Sequence, residues 1–203
     1  ADFQDRPELA RRKEADRKAA ALEVARFRDG VAWLRRDRRL LAAFQLANKS
    51  MVELNRARKR PSRGWRLFQL VAIVSQLGAL AWREHSQNLF SPGLWGDDQG
   101  VDPTEAATVV WYPTGGGKTE AYLGLVLVCM FYDRARGKKV GVSAWCRFPL
   151  RLLTLQQTQR QLDVVAAAET VRSQNADLLR EVGGDPGWPF FIGFYAGGGN
   201  TPN

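Results

Sequence analysis

Residues Ala107–Leu123 read ATVVWYPTGGGKTEAYL. Within them Val109-Val110-Trp111-Tyr112 is an apolar run with the length and composition of a short buried strand. Pro113 and Thr114 follow, then Gly115, Gly116, Gly117, Lys118 and Thr119. Behind these the apolar segment Ala121–Tyr132 has helix-forming composition. Strand, glycine turn, Lys-Thr and helix, in that order, form the context of a phosphate-binding loop. Glycine lets backbone N–H groups approach phosphate oxygens with no Cβ in the way. The helix N-terminus adds a partial positive charge at the same point. In such a loop Lys118, the catalytic candidate, reaches the β- and γ-phosphates of ATP, and the Thr119 hydroxyl sits on Mg²⁺. The pattern departs from the strict spacing at one place, where Tyr112 stands at the first glycine position. A glycine-rich turn that merely happens to precede Lys-Thr is the competing reading.

Around this loop the composition sets bounds. The 203 residues suffice for one domain with a core plus an appendage. The chain opens on Ala1, so a removed or missing native start is expected. The densely charged N-terminus does not resemble a signal peptide, and the apolar runs are too short or too interrupted to span a membrane. A cytoplasmic location is therefore expected. Cys129 and Cys146 lie in apolar segments and are expected as small core residues without a disulfide. His85 is the single histidine, which excludes a histidine-centred metal site or triad. Charge is uneven: residues 1–66 hold 19 Lys+Arg and 9 Asp+Glu, whereas 67–203 are close to balanced. That asymmetry points to an anionic partner for the N-terminal part, DNA or another nucleic acid. Alternating signs such as Arg12-Lys13-Glu14 fit an ordinary solvated helix, but Arg35-Arg36, Arg38-Arg39 and the cluster Arg56–Arg63 fit it less well.

In chain order, Glu8–Arg28 reads as a polar helix that Gly30 interrupts. Leu40, Phe44, Ala47, Met51 and Leu54 mark one face of a second helix. Pro61, Ser62 and Gly64 then set a boundary between a basic helical region, 1–60, and a second domain, 61–203. Trp65-Arg66-Leu67-Phe68-Gln69 leads into an apolar helix, Leu70–Trp82. Phe90–Glu105 has the Gly, Pro and Asp content of a long loop. Val140–Cys146 is the second strand candidate, running through Arg147 and Pro149 into a helix at Thr154–Thr170. A strand end that opens into a helix beside Arg147 and Arg151 suits a nucleic-acid phosphate. Arginines that merely cap a surface turn are the alternative. A further helix precedes Gly183–Gly187, and Phe190–Tyr195 is the third strand candidate, before the Gly197-Gly198-Gly199-Asn200 turn. Three strands with glycine- or proline-marked loops on one edge predict an α/β fold, a parallel sheet flanked by helices.

Pro113-Thr114-Gly115-Gly116-Gly117-Lys118-Thr119 resembles motif I of superfamily 2 helicases, Arg66-x-Phe68-Gln69 their upstream R-x-[FY]-Q element, and Pro149-x-Arg151-x-Leu153 their motif Ia. With WYPTGGGKTEAYLGL, RFPLRLLTLQQTQR and the GGGNTPN ending, residues 30–203 look like helicases with a DUF1998 region, the DrmA-type helicases of DISARM antiphage systems. The resemblance implies an incomplete first RecA-like lobe of an ATP-dependent helicase or translocase acting on DNA with other defence-system subunits. It implies that Arg66, Gln69, Thr114, Gly115, Gly116, Gly117, Lys118 and Thr119 bind ATP, with Gln69 reading the adenine edge. It also implies that Arg147, Pro149, Arg151, Gly197, Gly198, Gly199 and Asn200 meet nucleic acid. No Asp-Glu pair of motif II precedes Asn203, so hydrolysis by this chain alone is expected to be negligible. Another P-loop enzyme, or a nucleotide-binding scaffold subunit without turnover, would share the loop.

Overall fold

The computed structural model describes residues 7–59, 61, 64–85, 107–110, 116–147 and 151–194. These form six helices: α1 (Pro7–Arg36), α2 (Arg38–Ala57), α3 (Leu67–Glu84), α4 (Lys118–Ala135), α5 (Arg151–Gln174) and α6 (Ala176–Glu181). They divide into two compact units, one of Ala1–Leu40 with Gly64–Leu125, the other of Leu41–Arg63 with Val126–Asn203.

In the first unit α1 lies on α3. The outer half of α1 owes its helicity to Ala, Glu, Lys and Arg and to pairs three residues apart, Glu14–Arg17 and Glu23–Arg26. Its inner half buries Trp33, while α3 buries Ile73, Val74, Leu77, Leu80 and Ala81 at helical spacing. A fully buried side chain of this size contributes about 1.5–3 kcal/mol. Gly30 does not interrupt α1. A Cβ there would stand 2.0 Å from the Val74 carbonyl oxygen, so this glycine serves close helix approach rather than a break. Gly78 does the same from the other side, where a Cβ would meet Asp29 Oδ2 at 2.0 Å. Asp37 separates α1 from α2. Its Oδ1 accepts the backbone N–H groups of Arg39 and Leu40 at 2.8 and 3.1 Å and so caps α2. Its Oδ2 lies 2.9 Å from Nε2 of His85, which stacks on Trp33.

In the second unit α2 buries Ala42, Ala43, Leu46, Ala47 and Leu54, confirming the apolar face expected there, although Phe44 and Met51 are only half-buried. Lys49 donates to Asn175 Oδ1, and Arg58 pairs with Asp163 of α5 at 2.5 Å. The core continues through Leu127, Phe131 and Tyr132 of α4, Val164, Ala168 and Val171 of α5, and Leu179 of α6. Cys129 is half-buried, whereas Cys146 is exposed and does not join the core as expected.

The α/β expectation is overturned: among the described residues there is no strand and no sheet, and the architecture is all-α. The reason is visible in where backbone hydrogen bonds go. In the Lys138–Cys146 segment the carbonyl oxygens of Lys138 and Lys139 accept from Arg134 Nη1, and that of Val142 accepts from Lys138 Nζ. Gly141 there has φ +101°, and Val140 and Val142 are exposed. Before Phe191, the carbonyls of Trp188 and Pro189 accept from Arg134 Nε and Nη2 at 2.9 Å each. The Phe190 N–H goes to Glu169 Oε2 at 3.0 Å. Side chains of Arg134, Lys138 and Glu169 thus occupy backbone groups within or just before both candidates. Arg134 is itself buried, over the Phe190 ring, and burial pulls its pKa below the usual guanidinium range despite Asp133 beside it. Val109 and Val110, the described part of the first strand candidate, are likewise not in a strand, and both are exposed. Trp111, Tyr112 and Tyr195 lie outside the described residues.

Candidate phosphate-binding site

The site begins at the start of α3. Arg66 has extended backbone, φ −66° and ψ 149°, and its carbonyl accepts the first bonds of the helix from Gln69 and Leu70. Gln69, three residues in, folds back so that its Oε1 accepts the Arg66 N–H at 2.9 Å, the glutamine half of a capping box. Both side chains then reach a segment some fifty residues away in sequence. Arg66 Nη1 donates to the Gly116 carbonyl at 2.7 Å, and Gln69 Nε2 donates to the Gly117 carbonyl at 2.9 Å. Gly117 has φ +93°, and α4 begins at the next residue, Lys118. A Cβ on Gly117 would stand 2.7 Å from Gln69 Nε2 and 3.4 Å from Glu120 Oε2, so only glycine fits both the backbone angle and the space.

These two bonds orient the loop. In a trans peptide the C=O and the following N–H point in opposite directions. Holding the carbonyls of Gly116 and Gly117 on Arg66 and Gln69 therefore turns the N–H groups of Gly117 and Lys118 to the other side. There they join the backbone N–H groups of the first turn of α4, an eighteen-residue helix whose first donors have no intrahelical acceptor. Donors that converge at a helix N-terminus can hold a phosphate. Lys118 and Thr119 stand in that turn and are half-buried, as is Glu120. The loop is seated on the first unit by Gly124, which faces Ile73 and Trp65 across van der Waals distance too short for a Cβ.

Gln69 is 6% exposed and spends one lone pair and one N–H inside the loop. One N–H and one lone pair of its amide remain beyond those bonds. Sequence reasoning singled out Arg66 and Gln69 as ligand-binding groups but missed their tie to the glycine carbonyls. Only half of the usual signal was present: Gln69 stands three residues after Arg66, but arginine is not one of the residues that announce an N-cap.

Other expected positions fall differently. Arg147 is exposed at the end of an irregular segment of the second unit. Arg151 opens α5, with its side chain outside the description. Thr114, Gly115, Pro149, Gly197, Gly198, Gly199 and Asn200 lie outside the described residues. Among the described residues no group of three His, Cys, Asp or Glu side chains gathers as for a metal, and no helix is long and apolar enough to cross a membrane.

Glycine carbonyls pinned behind a Lys-Thr helix start define a candidate oxyanion-binding loop, here on an all-α frame. The chain is similar to the DISARM protein DrmA of Bacillus paralicheniformis (strain ATCC 9945a / NCIMB 11709 / CD-2), with 30% identity over 164 residues. The similarity covers 77% of this chain and 12% of the relative, so the chain spans a small part of the protein it matches. No family model matches the chain, and no solved structure matches it.

Proposed function

We propose that this chain carries the nucleotide-binding loop of an ATP-dependent nucleic-acid helicase or translocase that works in antiphage defence of the DISARM kind. The observation that carries the reading is the pair of bonds from Arg66 and Gln69 to the carbonyls of Gly116 and Gly117, directly before Lys118 and Thr119. Similarity to a DISARM protein over most of the chain's own length supports the biological setting.

The residues present fit a magnesium nucleotide. Backbone donors of Gly117 and Lys118 face away from their carbonyl anchors, Lys118 brings a cation to the β- and γ-phosphates, and the Thr119 hydroxyl offers one oxygen to Mg²⁺. Magnesium needs few protein ligands when phosphates and water complete its shell. Bound ATP supplies a phosphoryl group whose transfer to water releases the free energy for movement. The protein's part in this loop is placement: Arg66 and Gln69 fix the peptide planes, and Lys118 neutralises charge. The free N–H and lone pair of Gln69 match the paired donor and acceptor of an adenine edge. Arg147 and Arg151 are the proposed first contacts to a DNA backbone, with other defence subunits as partners. The assay is nucleic-acid-stimulated ATP hydrolysis by the full protein. Lys118→Ala is expected to abolish it with the fold intact, and turnover equal to wild type would remove the nucleotide-site assignment.

A further inference from the structure

Arg35, Arg36, Arg38 and Arg39 place four positive charges within five residues, and the loop reading leaves them unused. The run sits at the junction of two helices. Arg35 and Arg36 end α1, Arg38 and Arg39 begin α2, and all four are exposed. The one residue between them is acidic and, unlike them, buried. The Asp37 side chain is 6% exposed, with Oδ1 on the N–H groups of Arg39 and Leu40 and Oδ2 on His85. The carboxylate is turned inward, whereas the four arginine residues are exposed, with Arg36 near enough to Asp29 to act on its carboxyl.

Helix stability accounts for only half of this arrangement. Cations in the last turn of α1 complement the negative end of its dipole. Cations in the first turn of α2 oppose the positive end, and that turn holds no acidic residue. Asp37 at the N-cap is the carboxylate at that end, and it is buried, so a bound anion would complement the same end from the exposed side. Four arginines with no lysine favour forked, bidentate contact with phosphate oxygens over a diffuse positive field. Phosphates at regular intervals along a strand fit a run of donors better than any single small anion does.

We infer that the α1–α2 junction, through Arg35, Arg36, Arg38 and Arg39, is a nucleic-acid backbone site. It is separate from the nucleotide loop and needs no nucleotide. The reading goes beyond the proposed ATPase: it stands whether or not Lys118 binds ATP.

The test is fluorescence anisotropy of the full chain with short labelled single-stranded DNA, RNA of the same sequence and duplex DNA, without nucleotide, across a salt titration. Replacing all four arginines by glutamine is expected to weaken single-strand binding at least about tenfold. It should also flatten the log–log salt slope by roughly three, about 0.7 for each phosphate no longer neutralised. The same four positions changed to lysine should keep most of the slope, because the charge remains. The pair Arg38→Gln/Arg39→Gln should lose part of the slope, with Tm recorded to show that the fold is retained. Preference between DNA and RNA identifies which backbone is the natural one, and either supports the site. Slope and affinity unchanged in the glutamine variant would overturn it. So would an equal loss in the lysine variant, which marks a structural role, or displacement of the strand by polyglutamate of matched charge, which marks an acidic protein partner. Loss confined to an Arg147→Gln/Arg151→Gln variant would overturn the junction site and leave the proposed function standing. An unaffected Lys118→Ala variant would do the reverse.

Discussion

Gln69 joins two roles in one side chain. Its buried amide holds the Arg66 N–H and the Gly117 carbonyl, and it still has one donor and one acceptor to offer. Removing a buried, bonded amide costs about 1–3 kcal/mol for the groups left without partners. Gln69→Ala is therefore expected to weaken ATP and GTP alike through the slackened loop, and to weaken ATP further because the adenine edge is no longer read. Paired titrations with the two nucleotides separate the parts: equal losses would confine Gln69 to holding the loop. Asp29 offers a second test at this scale. Burial against Gly78 raises its pKa above the ordinary carboxylate value, against the opposing pull of Arg36. A carboxyl with a raised folded pKa holds its proton more tightly in the native state. Its contribution to stability is then full below the unfolded pKa of about 4 and is lost as pH rises through the folded value. Asp29→Asn should raise Tm at neutral pH, and the gain should fade on acidification towards that lower value. A gain that does not change with pH would place its origin outside Asp29 ionisation.

At the scale of helices, the α1–α3 packing depends on glycine where propensity would choose alanine. Gly30→Ala in an isolated helix would stabilise by about 1 kcal/mol. Here the added methyl meets the Val74 carbonyl, a backbone atom that cannot rotate aside. Overpacking of this kind costs about 1–3 kcal/mol, so a net loss of stability is expected in denaturant unfolding. A stabilised variant would mean that the two helices are further apart than this close approach requires. The helices themselves were legible in the sequence because their signals are local. The face Leu40–Leu54, the apolar run Leu70–Trp82 and the segment Thr154–Thr170 each lie within a helix. The strand candidates were not decidable from the same residues. Val140, Val142 and Phe191 have strand-forming composition, but a strand exists only through a partner's backbone. Lys138 takes the Val142 carbonyl and Glu169 the Phe190 N–H, while Arg134 holds the carbonyls just before both segments. Nothing in the local pattern around Arg134 announces that it binds four carbonyls.

For the molecule as a whole, the glycines and Lys118 were legible as a chemical pattern, and the anchoring of their carbonyls required the fold. The frame that supplies it differs from the parallel sheet the pattern suggested: the loop is held by the start of α3. What joins sequence, fold and activity is thus a single claim, that the segment ending at Lys118 binds a nucleoside triphosphate. The most direct measurement is Mg·ATP binding to the wild-type chain and to Lys118→Ala by isothermal titration calorimetry, with Tm recorded for both. A phosphate-binding loop requires the variant to bind at least about tenfold more weakly, a loss of about 1.4 kcal/mol or more, at unchanged Tm. Equal affinity in the two proteins would contradict it.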